Sequence, residues 1–200
     1  MTKTELWRLD ATELTSRTIA GDITAETAIS DAIARMDAVN PRLNAVVESL
    51  AEDALERARA LDRARAGGAE PGPLHGLPVT IKINVDQAGH ATSNGVPALK
   101  NLIAPADAPV VENLQRAGAV VIGRTNTPEF SFRADTDNPL HGRTHNPWGR
   151  HISAGGSSGG AGSVVMAGRT RARAAAAGSC GRAAGPPRRS AAAWGRPCPG

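Results

Sequence analysis

Every Val, Leu, Ile, Met and Phe of this 200-residue chain lies before residue 169. Residues 169–200 are 10 Ala, 7 Arg, 5 Gly and 4 Pro among 32. Such a segment has too little apolar surface to offset the entropy of ordering it, so it is expected to be disordered. Any folded core is confined to residues 1–168. The tail also sets the charge. The chain carries 23 Lys+Arg against 19 Asp+Glu, a formal +4, with a pI near 9.8. With the seven tail arginines set aside, 16 basic residues face 19 acidic ones, and residues 1–168 carry −3.

Residues 1–168 have the length of one ordinary globular domain. No run approaches the roughly 20 apolar residues of a membrane span. The start, Met1-Thr-Lys-Thr-Glu-Leu-Trp7, is too polar for a secretory signal. Both cysteines, Cys180 and Cys198, fall in the tail, so no disulfide framework is implied. The expected location is cytoplasmic.

The first third reads as helical. Asp10 with Glu13 resembles a capping box. Thr24 is placed to cap a second helix with Ile29, Ile33 and Met36 on one face. Asn40-Pro41 is expected to break that pattern, and Ala45-Val46-Val47 reads as a short strand. Leu50, Ala54, Leu55, Ala58, Leu61 and Ala64 then recur at helical spacing up to Gly67-Gly68. These stripes read as packing faces. Pro78–Ile83 is a strand-like apolar run. Asp107 is expected to cap a helix through Val110, Val111 and Leu114, ended by Gly118, and Ala119–Ile122 reads as a strand. Strand, helix, strand points to a crossover unit and a mixed or parallel sheet, hence an α/β fold. Residues 134–154, rich in Asn, Pro, Gly and His, read as a long ordered loop.

Two features carry chemistry. Lys82 interrupts an apolar run between Ile81 and Ile83. It is either an edge-strand lysine pointing to water or a desolvated base. A base at neutral pH requires its pKa to fall from about 10.4 to near 7, which burial can drive. Gly155-Gly156-Ser157-Ser158-Gly159-Gly160 admits three readings. It is a flexible linker, a phosphate cradle, or a sharp turn presenting serine hydroxyls to a base. The cradle lacks the Gly-Lys-Ser/Thr ending of a P-loop. The small-residue helix expected over 161–167 and the preceding Asn146-Pro147-Trp148 favour the third reading.

Taken together, Gly76-Leu-Pro-Val-Thr-Ile-Lys82-Ile-Asn84, Ser93-Asn-Gly95, Ala117-Gly-Ala-Val-Val-Ile-Gly123-Arg-Thr125-Asn126-Thr-Pro-Glu-Phe130, Asn146-Pro-Trp148 and Gly155–Gly160 resemble the amidase signature family. The 75 residues between Lys82 and Ser157 suit it. The resemblance implies the N-terminal portion of that family's fold, a mixed β-sheet core covered by helices. It implies a domain over 1–168 that is incomplete, followed by a non-homologous tail over 169–200. It implies hydrolysis of carbon–nitrogen amide bonds by a Ser-cisSer-Lys triad, with no cofactor or metal. Lys82 matches the base, and Ser157 the serine at a cis peptide that relays a proton to the nucleophile. Gly155, Gly156, Ser158, Gly159 and Gly160 match the surrounding substrate loop, with Ser158 as its support. The implied partner is a small-molecule amide, and Thr127-Pro-Glu-Phe130 leans toward general amidases rather than tRNA-linked subunits.

Two departures stand out. Many members have Asp after the lysine, where this chain has Ile83. The family's nucleophile stands about two dozen residues past the relay serine, in a Thr-Asp-x-Gly-Gly-Ser-Ile/Leu-Arg turn. Here that zone reads Ala177-Gly-Ser179-Cys180-Gly181-Arg182. Ser179 lacks the acid, the paired glycines and the apolar frame of that turn. The expectation is a chain without its attacking serine, catalytically dead and poorly soluble, and a shifted reading frame near Gly168 is the expected cause. One codon set for Arg189–Gly195, read two nucleotides later, gives Phe-Cys-Gly-Gly-Val-Gly, close to the family's continuation. A rival function is a nucleic-acid or acidic-surface binder built on the tail arginines. Trp194 is that tail's single aromatic, and Ala and Pro dilute its charge, so nucleic acid is disfavoured. A non-catalytic scaffold is a further alternative. His141 and His145 form one i, i+4 pair in a Gly/Pro loop without a supporting carboxylate, which disfavours a metal.

Overall fold

The structure, a computed structural model, describes residues 5–168. The tail, with Ser179, Cys180, Cys198 and the expected disorder, lies outside the described residues.

Asp10 opens α1 (Ala11–Ala20), its carboxylate accepting the Glu13 N–H at 2.8 Å. One of the helix's four orphan amides is thereby satisfied. Thr24 opens α2 (Ala25–Leu43) in the same way, accepting from the Thr27 N–H at 3.1 Å. Ile29, Ile33, Met36 and Val39 of α2 are buried on one face. Asn40-Pro41 does not break this helix, contrary to expectation; Pro41 lies within it. A proline in the last turn removes one backbone bond, here to the carbonyl of the exposed Asp37. Asn40 then organises the exit. Its Oδ1 accepts from the Ala45 and Val46 N–H groups at 3.0 and 2.9 Å, and its Nδ2 donates to the Val46 carbonyl at 2.7 Å.

β1 (Val46–Ser49) and α3 (Ala51–Ala66) follow, and α3 closes at Gly67. β2 (Pro78–Lys82) connects through α4 (Pro109–Arg116) to β3 (Val120–Thr125). β2 and β3 pair in parallel, so the expected crossover unit is present; β1 and β3 pair antiparallel. The sheet is mixed, in the order β1-β3-β2. The expected cap at Asp107 is not made. Ala108 is the N-cap of α4, without a side-chain bond, and Pro109 begins the helix. The Asp107 carboxylate instead accepts the Ala88 N–H at 2.7 Å, tying the loop after β2 to the entry of α4.

β3 is the middle strand, and all six of its residues are buried. Its alternating side chains supply two cores, as a doubly covered sheet requires. Val120 and Ile122 pack with Ile29, Met36 and Ala58 of α2 and α3. Val121 packs with Val79, Ile81 and Val111. Residues 134–154 contain no named helix or strand and run as the expected loop, with an isolated bridge between His145 and Ser153. The loop is pinned to the end of β3. Asn126 Nδ2 donates to the Gly142 carbonyl at 3.0 Å, and Asn138 Nδ2 donates to Asn126 Oδ1 at 2.7 Å. The glycine stretch leads into α5 (Gly159–Met166). No helix among the described residues is long and apolar enough to cross a membrane.

Candidate active site

Lys82 is the last residue of β2 and pairs in register with Thr125, the last residue of β3. The carboxyl ends of parallel strands are where open α/β sheets leave a ligand crevice. Although β2 is an outer strand of the described sheet, Lys82 does not point to water; it is 2% exposed. Its ammonium nitrogen donates to Ser157 Oγ at 2.9 Å, across 75 residues of sequence. Burial pulls the Lys82 pKa down from 10.5 to about 8. Desolvation disfavours the charged amine, and no carboxylate is bonded to it among the described residues. A substantial fraction of the lysine is therefore neutral near pH 8, with a hydroxyl in contact. Such a pair can pass a proton from a hydroxyl to an amine and back.

The glycine stretch is neither a linker nor an open phosphate cradle. Gly155 has φ +81°, a left-handed conformation that side chains resist. The Gly156–Ser157 peptide is cis. A Cβ on Gly156 would stand 2.3 Å from the Arg133 carbonyl oxygen. A Cβ on Gly160 would meet the Asn126 nitrogen at 2.6 Å and the Ala45 oxygen at 2.7 Å. These approaches pack the turn against both the 134–154 loop and the sheet. Its amides are in use as well. The Gly155 N–H donates to Ser153 Oγ at 3.0 Å, and the Gly159 N–H to Thr136 Oγ1 at 3.0 Å.

Ser157 is buried beside Lys82, and Ser158 follows it as the N-cap of α5. Its hydroxyl is buried without a hydrogen-bond partner among the described residues. Its carbonyl accepts the Gly162 N–H at 2.9 Å, so it starts α5 through its backbone alone. Thr136 also ties the loop together: its hydroxyl donates to the Gly155 carbonyl at 2.8 Å while accepting from the Gly159 N–H. Thr136 sits two residues before the Asn138-Pro139 turn, in a stretch without periodicity, so the sequence marks a loop there but only spatial proximity reveals its role. Thr127 is similar: it is fully buried, and its hydroxyl donates to the Ser157 carbonyl at 3.2 Å. Its place directly after Thr125-Asn126, at the end of an apolar strand, was the available signal. Ser179 lies outside the described residues.

The sequence model of the Amidase family matches residues 27–178. The indoleacetamide hydrolase of Bradyrhizobium diazoefficiens is 57% identical over 166 residues, which are 83% of this chain and 32% of that relative. An acylamidase of Rhodococcus erythropolis is 42% identical over 168 residues, 84% of this chain and 35% of the relative. Among solved structures, a fatty acid amide hydrolase superposes with a TM-score of 0.81 at 28% identity, over 85% of this chain and 30% of the other. The chain thus spans about a third of the length of the curated relatives it matches. With a matching family model over most of its length and the α/β core of amidase signature enzymes, the chain belongs to the amidase family.

Proposed function

We propose that residues 5–168 form the proton-handling part of an amide hydrolase, with Lys82 as the base and Ser157 as the relay. The observation that carries this reading is the buried 2.9 Å contact between Lys82 Nζ and Ser157 Oγ, with the lysine pKa lowered to about 8. In this scheme a serine nucleophile loses its proton to Ser157, which passes its own to neutral Lys82. The nucleophile's oxygen bonds to the amide carbon. The proton returns to the leaving nitrogen as the C–N bond breaks, and water then cleaves the acyl ester. Gly155, Gly156, Gly159 and Gly160 shape the turn that holds Ser157. The likeness to an indoleacetamide hydrolase and to a bacterial aryl acylamidase supports a primary or aryl-linked amide as substrate.

The attacking serine is the missing part. Residues 177–182 contain Ser179 but not the turn that shapes the family's nucleophile. The 200-residue chain therefore turns over amides negligibly, since losing a triad serine costs on the order of 10⁶ in kcat. A shifted reading frame accounts for the break after Gly168. Sequencing the gene tests it, and the absence of a Thr-Asp-x-Gly-Gly-Ser turn from both other frames overturns it.

The functional test is a chimera. Residues 1–168 are joined to the part of the Bradyrhizobium indoleacetamide hydrolase that follows its matching region, and indoleacetamide hydrolysis is measured. Hydrolysis is expected, and Lys82→Ala and Ser157→Ala each lower kcat by on the order of 10³ or more, as triad members do. A folded chimera that is inactive, or one indifferent to Lys82→Ala, overturns the reading.

A further inference from the structure

Three side chains outside the Lys82–Ser157 pair form a continuous hydrogen-bonded bridge to the Ser157 main chain. Asn84, two residues beyond Lys82, donates from Nδ2 to Ser131 Oγ at 3.2 Å. Ser131 Oγ and Thr127 Oγ1 are 2.9 Å apart, and Thr127 Oγ1 donates to the Ser157 carbonyl at 3.2 Å. The direction of each bond follows from proton counting. A carbonyl only accepts, so the single Thr127 hydroxyl proton points at Ser157. The Ser131 hydroxyl must then donate to Thr127, which leaves its lone pairs for the Asn84 amide. Every bond in the series runs from Asn84 toward Ser157, and donors aligned in one direction polarise one another.

The backbone around the bridge is shaped for it. Ser131 has φ +62° and Phe130 φ +49°, both in the left-handed region that non-glycine residues rarely occupy. The Phe130 N–H donates to the Asn94 carbonyl at 3.0 Å, holding this turn in place. The bridge therefore joins the exit of the lysine strand to the carbonyl of the serine, through a segment fixed at its middle.

We propose that Thr127 and Ser131 are positioning residues for the Lys82–Ser157 pair, acting through the Asn84–Ser131–Thr127 bridge to hold the Ser157 main chain over the lysine and keep water from it. This rests on the reading of Lys82 and Ser157 given under Proposed function. It extends that reading to residues that touch neither the lysine amine nor the serine hydroxyl.

The chain has three lysines, Lys3, Lys82 and Lys100, which makes a direct readout practical. The full 200-residue chain carrying isotope-labelled lysine is titrated by NMR, and the Lys82 signal is assigned by its loss in Lys82→Arg. Thr127→Val, Ser131→Ala and the hydroxyl-retaining Thr127→Ser are compared with the unaltered chain, and chemical unfolding of each is followed in parallel. Thr127→Ser is expected to leave the Lys82 midpoint in place. Thr127→Val and Ser131→Ala are expected to raise it by about one pH unit, as admitted water relieves desolvation. A merely structural role would lower stability without moving the Lys82 midpoint. If Thr127→Val does not fold, Ser131→Ala, at a partly exposed position, decides the matter. An unmoved midpoint in the folded variants overturns the bridge alone. A Lys82 midpoint near 10.5 in the unaltered chain overturns the underlying reading of the pair, and the bridge with it.

Discussion

At the residue scale, Lys82 has a measurable effect on stability. Its pKa is about 8 in the folded chain, against 10.5 ordinarily. Below pH 8 both folded and unfolded chains hold the proton, and the folded state bears the cost of a buried charge. Between about 8 and 10.5 the unfolded chain binds more protons, so stability rises with pH through that window. The gain is about 3 kcal/mol at full extent. Unfolding free energies at pH 7 and pH 10.5 should show this rise in the unaltered chain and not in Lys82→Met, which keeps the bulk and removes the proton. Equal pH dependence in both would mean that the lysine is solvated. Ile83 bears on the same point. Its side chain is buried and apolar, so the position next to the lysine supplies no carboxylate that would hold the amine charged.

At the scale of elements, α5 lies close to the sheet because its first residues are glycines. Gly160 approaches the Asn126 nitrogen and the Ala45 oxygen, both backbone atoms that cannot swing aside. Gly160→Ala is expected to destabilise the fold by about 1–3 kcal/mol, the usual cost of overpacking. Denaturant midpoints measure this, and an unchanged midpoint would show that the helix can slide. The partly exposed Gly155 has open space around the position of a Cβ, so substitution there meets backbone strain rather than a clash. The same scale explains two differences from sequence expectation. Pro41 is tolerated in α2 because it falls in the last turn, and Asp107 leaves α4 uncapped because its carboxylate bridges to Ala88. The first depends on where the helix ends, the second on a partner 19 residues away.

At the scale of the whole molecule, several large apolar side chains stand in solvent among the described residues. Phe132 is 90% exposed, and Phe130, Leu102 and Ile103 are each more than half exposed. Thr92 pairs with Leu102, and Asn94 with Phe130, so these side chains project from neighbouring loops. Uncovered apolar surface of this kind promotes association. The 200-residue chain is expected to bind a hydrophobic dye in its native state and to self-associate as its concentration rises. Dye fluorescence and sedimentation read both, and Phe130→Ser with Phe132→Ser should reduce them. A dye-silent monomer at all concentrations would mean that this surface is covered.

How much was legible in the sequence differs with the distance over which each feature is decided. The caps at Asp10 and Thr24, the apolar face of α2 and the β2-α4-β3 crossover follow from local chemistry and periodicity, and the one-dimensional pattern carries both. The family likewise follows from the order and spacing of short motifs. The break after Gly168 is compositional and needs no coordinates. What the amino-acid order left open was the state of Lys82, since a lone lysine in an apolar run, taken by itself, reads more readily as an edge facing water. The fold closes that alternative by setting Ser157 against it, and burial then lowers its charge affinity. Thr127 stood in a quoted motif, but its bond to Ser157, like the parts played by Ser131 and Thr136, became visible only in three dimensions. A hydroxyl's role is set by which carbonyl or amide lies within about 3 Å, and chain separation says nothing about that distance.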